Sequence, residues 1–482
     1  MDKRHKLPDS RQGKVVSIKG NTERSLKGRL LARREFLKGV ASLGILAFLS
    51  SLMPSCLRGN RQAPEAVLPI NPSVSSVPDE SDLPVPGGAE NLVREESGFA
   101  QDRTPLAILY RPELEEYNFG LRHSYMGVRY RKFIQFLQEK LPEDNNYRIL
   151  GAEPATDEDL LLICQKEYIN FTKEYFKATN LGLERPEGFS KFHSLDNMPN
   201  EYPGKVEEAA RLIVGQAKAA CDLVQEGKFK KAVSIGGGMH HAKPAYGEGF
   251  CIYNDVAFCG LYLMQQYKLE RILILDTDAH TGNGTSEYFY DDPRLLLIDL
   301  HQDPTDFYPC TGFGHQIGSG KGKGFTINIP LPTGAGDDCY KLAFESIVEP
   351  VTREFKPQII VRNGGSDPHY TDRLANLELR VKGFRMIGEK VREMANVCDG
   401  KVIDLIASGY NRKVLPYVWL AMIVGLGGIE LGEEELRPFP HRAVVDPSAE
   451  TKCVTEELVF AKTGSVIEEV KSQLKDYWSC LK

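Results

Sequence analysis

Strand-length apolar runs alternate with helix-spaced stretches along much of the chain, and this alternation constrains the fold more than any other feature. The runs are KAVSIG (231–236), RILILDTD (271–278), LLLIDL (295–300), FTINIPL (325–331), QIIVRNGG (358–365) and VIDLIAS (402–408). Between them lie segments such as VEEAARLIVGQAKAACDLVQEG and AFESIVEPVTREF, with apolar residues at helical spacing. Strands that are apolar throughout are buried on both faces, and the intervening helices are the crossovers that a parallel sheet requires. The chain is therefore expected to be an α/β protein with three α/β/α layers, a mostly parallel central sheet and a single domain over residues 105–482. That domain opens on the strand LAILY and closes on a helical extension, TGSVIEEVKSQLKDYWSCLK, that packs on the sheet. Ligands of such sheets bind beyond the carboxyl ends of the strands.

The residues before 105 have a different character. Twelve Lys/Arg against four Asp/Glu in the first 38 residues leave the remainder of the chain at −14 out of an overall −6. An acidic folded part lacks the basic footprint that nucleic-acid binding needs. The basic head runs into ARREFLKGVASLGILAFLSSLMPSC (32–56), where Arg33-Arg34 followed by Glu35-Phe36-Leu37-Lys38 resembles a twin-arginine export signal. The uncharged stretch from Gly39 to Met53 falls short of the about 20 residues that a spanning helix needs. Residues 1–56 are expected to be a cleaved export signal, with Cys56 placed as a lipoprotein cysteine would be and so a possible membrane tether. Residues 57–104, rich in Pro, Ser, Glu and Gly without apolar periodicity, are expected to be a flexible linker. The folded part would then lie in the periplasm or on the outer face of the membrane. Ten cysteines with no CxxC pair count against a disulfide framework and against a cysteine zinc site.

Chemistry gathers at the strand ends. In ILDTDAHTGNGT (274–285) an apolar strand runs into Asp276, Asp278 and His280, and alternate residues of an extended chain point the same way. GGMHHAKPAYGEGFC follows KAVSIG and presents His240 and His241; GGSDPHYTD follows QIIVRN with Asp367; Gly409-Tyr410 follows VIDLIAS. Taken singly, each has an ordinary explanation, since adjacent histidines can be structural and an Asp after a strand often caps a helix. Four strand ends aiming such groups at one rim need another. Asp278, His280 and Asp367 make an O/N/O ligand set with an open coordination position, suited to zinc, which lowers the pKa of a bound water to about 7 and polarises a carbonyl. The histidine pair can shuttle protons, and the tyrosine hydroxyl can donate to a developing oxyanion. The combination predicts amide hydrolysis.

In order along the chain, GGGMHHAKP…GFCIYND, DTDAHTGNGT…FYDDP, GGSDP…DRLANLELRVKG and SGYN resemble the zinc-dependent histone deacetylase superfamily, with its acetoin-utilisation and acetylpolyamine amidohydrolase members. The likeness spans about residues 106–430, and GNGT…FYDDP is similar to the class II branch. The resemblance implies the arginase–deacetylase fold and removal of acetyl or other acyl groups from acyl-lysine or small acylated amines. It implies one catalytic zinc ion on Asp278, His280 and Asp367, with His240 and His241 as tandem catalytic histidines and Tyr410 polarising the carbonyl. Asp276 would orient the first histidine and line a site for potassium or another monovalent cation. Asn283 stands where many members carry an acid orienting the second histidine. Phe250 and Tyr308 would wall an acyl-lysine channel, and Asp196 would hold the substrate backbone at the rim. Leu374 replaces the glutamate of the polyamine-selective branch. Departures from the usual pattern are Thr281 for a second histidine, Tyr308 for phenylalanine, a glycine run thinned to Ala407-Ser408-Gly409, and Arg362-Asn363-Gly364 where apolar residues are usual.

Two other readings compete. An arginase-like ureohydrolase with two manganese ions needs a carboxylate two positions after His280 to bridge the second metal, and that position is Gly282. An acyl-binding protein without catalysis would fit Asn283 and Thr281, but not the intact ligand set, histidine pair and Tyr410.

Overall fold

The computed structural model describes residues 105–438 and 449–482; the expected signal region and linker lie outside them. Eight strands form one sheet: β1 (Leu106–Leu109), β2 (Tyr147–Leu150), β3 (Lys231–Ile235), β4 (Ile272–Asp276), β5 (Leu295–Gln302), β6 (Thr326–Leu331), β7 (Ile359–Gly364) and β8 (Val402–Ile406). Every pairing is parallel, in the order β2-β1-β3-β8-β7-β4-β5-β6. All residues of β4, β5, β7 and β8 are buried, as strands covered on both faces must be. The expected α/β architecture is the observed one.

Seven strands coincide with the apolar runs. The eighth, β2, was not anticipated: in YRIL only Tyr147 is fully buried, so an edge strand of four residues leaves no apolar run to read. AFESIVEPVTREF is helical, but a π turn at Phe344–Val348 separates Asp337–Ala343 from Glu349–Phe355. The closing helix, Ala449–Leu474, lies against β6 and buries Ile467, Val470 and Leu474, three and four residues apart. Beyond it the Trp478 indole donates to the Gly324 carbonyl at 2.8 Å and packs on Phe325, so this edge of the sheet is covered.

Strand order decides where the site lies. β3, β8, β7 and β4 are neighbours at the centre, and because they are parallel their carboxyl ends open on one edge. Chain order reverses between the β3 and β4 halves, and that reversal leaves a crevice above the strand ends. Register aligns Asp276 with Asn363 and Arg362 with Asp404. The second pair explains one departure: Arg362 and Asp404 form a buried ion pair between adjacent strands. Losing either partner would strand the other charge, at a cost of about 3–5 kcal/mol.

Six free cysteines, Cys164, Cys221, Cys251, Cys259, Cys339 and Cys398, are buried, and a seventh, Cys480, is exposed. Cys310 is disulfide-bonded. Among the described residues no helix is long and apolar enough to cross a membrane.

His193 is bridged to Gly247, in the loop that follows the histidine pair. It is fully buried against Tyr168 and Phe189, its Nε2 lies 3.0 Å from the Thr172 hydroxyl, and burial pushes its pKa down to about 3. In the unfolded chain it titrates near 6.5, so its contribution is intact above that pH and is lost as pH falls towards 3, by about 1.4 kcal/mol per unit. Denaturant unfolding at pH 7.5 and 5.5 should therefore show a larger acid loss in the wild type than in His193→Gln; equal losses would exclude this source of acid sensitivity.

Candidate active site

β4 ends at Asp276, and from there the chain curls instead of continuing extended. Asp276 Oδ1 accepts the Asp278 N–H at 3.1 Å, and Asp278 Oδ1 accepts the His280 N–H at 2.8 Å. Each short acid thus captures the backbone two residues on, a turn chemistry that Asp favours. This corrects the expectation that strand alternation brings Asp276, Asp278 and His280 together. The turns swing Asp278 and His280 to one side while Asp276 faces His240.

Asp278, His280 and Asp367 are buried, with ligand atoms all within 4.8 Å of one another. His280 Nδ1 lies 3.1 Å from Asp278 Oδ1 and 3.1 Å from Asp367 Oδ2, and the Ser408 hydroxyl donates to the other Asp367 oxygen at 2.8 Å. Burial and the neighbouring Asp278 push Asp367 up to about 7. Burial disfavours charge on His280, yet the two carboxylates outweigh it and raise the imidazole to about 10. Two carboxylates converging on one buried imidazole attract positive charge, and their O/N/O donors fit a zinc ion with a position left open.

The two histidines differ in their partners. Asp276 Oδ2 lies 2.8 Å from His240 Nδ1 and accepts from Asn363 Nδ2 at 2.9 Å. Burial opposes charge on His240, but Asp276 and Asp278 raise it to about 9. His241 Nδ1 lies 2.7 Å from Asn283 Oδ1, and burial followed by the charge of His240 drives its pKa well down. Their Nε2 atoms are 3.1 Å apart, so a proton-rich ring sits beside a proton-poor one.

Tyr410 approaches from β8. Its N–H donates to Asp372 Oδ2 at 2.7 Å, and Arg129 holds the preceding Gly409 carbonyl at 2.7 Å. Burial, then Asp367 and Asp278, keep its hydroxyl protonated by pushing its pKa up. Phe250 stands beside the Tyr410 ring, with centroids 6.0 Å apart. Tyr308 stands beside His241 at 5.1 Å and His280 at 6.3 Å, its buried hydroxyl without a hydrogen-bond partner among the described residues. Asp196 reaches the same place through the Gly249 N–H, which it accepts at 3.2 Å. Leu374 is tied to the site through Asp372, whose Oδ1 accepts its N–H at 2.9 Å.

Several residues that hold the site escaped sequence reasoning. Asp255 accepts the Gly238 and Met239 N–H groups, the latter at 2.7 Å, and Asn254 Nδ2 donates to the Ala242 carbonyl at 2.9 Å, so the ND of GFCIYND clamps the histidine loop. Asn363 and Ser408, which the sequence presents as departures, are donors to Asp276 and Asp367. Thr281, in place of a histidine, donates to the Thr311 carbonyl at 2.8 Å and ties down the loop bearing Tyr308. At Gly282 even a Cβ would lie 2.8 Å from Asp276 Oδ2, so a bridging carboxylate there has no room. The signal for these residues was their polarity inside apolar surroundings; their partners are far away in sequence.

A family comparison matches the histone deacetylase domain to residues 123–426. A probable deacetylase of Archaeoglobus fulgidus is 34% identical over 367 residues, 73% of this chain and 94% of that protein. The acetoin utilization protein AcuC of Staphylococcus xylosus is 34% identical over 322 residues, covering 66% and 82%, and that of Staphylococcus aureus (strain MSSA476) is 33% identical over 331, covering 68% and 82%. Among solved structures, the HDA15 HD domain matches with a TM-score of 0.64 over 78% of this chain and 97% of that one; at 22% identity this likeness concerns the fold. With the domain matched over most of the described sheet and relatives aligned over 82% to 94% of their own lengths, the chain belongs to the histone deacetylase family.

Proposed function

We propose that the chain is a zinc-dependent hydrolase that removes acetyl or other acyl groups from acyl-lysine side chains or small acylated amines. The observation that carries this reading is the meeting, in one buried crevice, of the Asp278–His280–Asp367 cluster with two histidines of opposite proton affinity. A zinc ion on those three ligands would polarise the acyl carbonyl and acidify the attacking water.

The remaining work falls to side chains. His241, neutral, takes a proton from the attacking water as the new C–O bond forms. His240, charged and steadied by Asp276, gives a proton to the amine nitrogen as the C–N bond breaks, so the products are a carboxylate and an amine. The Tyr410 hydroxyl donates to the carbonyl oxygen as negative charge develops there. Phe250 and Tyr308 would flank the aliphatic part of the substrate, and Asp196 would accept its backbone N–H. Asp276 would also line a site for a potassium or other monovalent cation.

The arginine pair and linker support export to the periplasm or the outer membrane face, and a disulfide at Cys310 suits an oxidising compartment. An enzyme placed there would act on small acylated amines, acetylated cell-surface components or secreted acyl-peptides. Cell fractionation with sequencing of the mature amino terminus is expected to find a processed, exported protein; a cytoplasmic protein retaining Met1 would refute export.

Tyr410→Phe should retain zinc while losing about 10²–10³-fold in kcat, the usual effect of removing an oxyanion donor. Chelation should abolish turnover and added zinc restore it, and Asp278→Asn should lose both metal and activity. Zinc bound stoichiometrically with no hydrolysis of acetyl-lysine peptides or small acetamides would instead favour an acyl-binding protein.

A further inference from the structure

His241 has an amide where its neighbour has a carboxylate, and an amide is an ambiguous partner. Asn283 can turn either its oxygen or its NH2 towards the ring, and the two orientations select opposite tautomers. Beyond Asn283 lies Glu248: Asn283 Nδ2 donates to Glu248 Oε1 at 2.7 Å, and the Lys243 ammonium stands 3.1 Å from the same oxygen. Glu248 is brought there by a tight turn. Gly249 adopts φ +61° and passes against the His241 ring with no room for a Cβ, while the Lys243 N–H bonds the Tyr246 carbonyl at 2.8 Å and folds the loop back. The Glu248 side chain is only 17% exposed.

We infer that Glu248 is a positioning residue for the second histidine, acting through Asn283. A carboxylate offers only acceptor oxygens, so Glu248 draws the NH2 of Asn283 to itself and leaves Oδ1 facing His241. Oδ1 in turn requires a proton on His241 Nδ1 and leaves the lone pair on Nε2, which lies 3.1 Å from His240 Nε2, the form a general base needs. The carboxylate that pairs directly with His240 is thus present for His241 as well, set one residue further out.

The inference rests on the proposed amide hydrolysis for its kinetic readout but not for its structural one. Full-length zinc-loaded protein is assayed on a fluorogenic acetyl-lysine peptide. Glu248→Gln, which can donate where glutamate only accepts, should lower kcat about 10-fold with zinc content and KM essentially unchanged. Combining it with Asn283→Asp moves the carboxylate next to His241, and the double variant should return to within about 3-fold of wild type. A wild-type kcat in Glu248→Gln, or a double variant no better than the single, would overturn the relay. Histidine 15N NMR, with His241 assigned by His241→Gln, should show the Nδ1–H form in the wild type and a shift towards Nε2–H in Glu248→Gln. An unchanged tautomer there overturns the relay even if no substrate is turned over, whereas absent turnover with the expected tautomer shift overturns only the hydrolase reading.

Discussion

Four carboxylates, Asp276, Asp278, Asp299 and Asp367, lie buried in or just beyond the neighbouring strands β7, β4 and β5, and the surrounding structure is organised by the need to satisfy them. An unpaired buried charge costs several kcal/mol, so each oxygen recruits donors or a cation. Asp276 has His240 and Asn363; Asp299 has His301 at 2.7 Å and the Gly282 N–H at 2.8 Å; Asp278 and Asp367 share His280, with Ser408 behind. The donors are spent, and the open side of the Asp278–His280–Asp367 cluster is where positive charge is still wanted.

The same electrostatics separate the two histidines. Adjacent in sequence and in contact in space, they would titrate alike in water. His240 faces two carboxylates, which outweigh its burial and raise it; His241 is lowered by burial and by the charge of His240, with only an amide to offset them. The opposite proton affinities therefore arise from what surrounds each ring, with Asp276 in contact with His240 and Glu248 held one residue further out from His241.

The departures from the family's usual pattern also become intelligible as contacts. Arg362 would be a misplaced charge in an apolar strand, but register sets Asp404 beside it. Ser408 interrupts a glycine run and supplies a hydrogen bond to the buried Asp367 carboxylate. Thr281 exchanges an imidazole for a hydroxyl that fastens the Tyr308 loop. In each case a polar residue sits where burial would penalise it were its partner absent.

The chain's order of apolar runs was enough to determine the parallel α/β sheet, because burial on both faces leaves a continuous signature within each segment. The strand-end acids, the histidine pair and Tyr410 were legible for the same reason: each follows its strand directly. Strand β2 was not, since an edge strand of four residues needs little apolar surface. Nor could the sequence supply strand order, and with it the adjacency of Asp276 to Asn363, of Asp367 to Ser408 and of His241 to Asn283 and Glu248. Hydrogen bonds act over about 3 Å and carry no trace in local periodicity, so only the packed structure decided which polar residues became partners, and thereby which histidine has its proton affinity raised and which has it lowered.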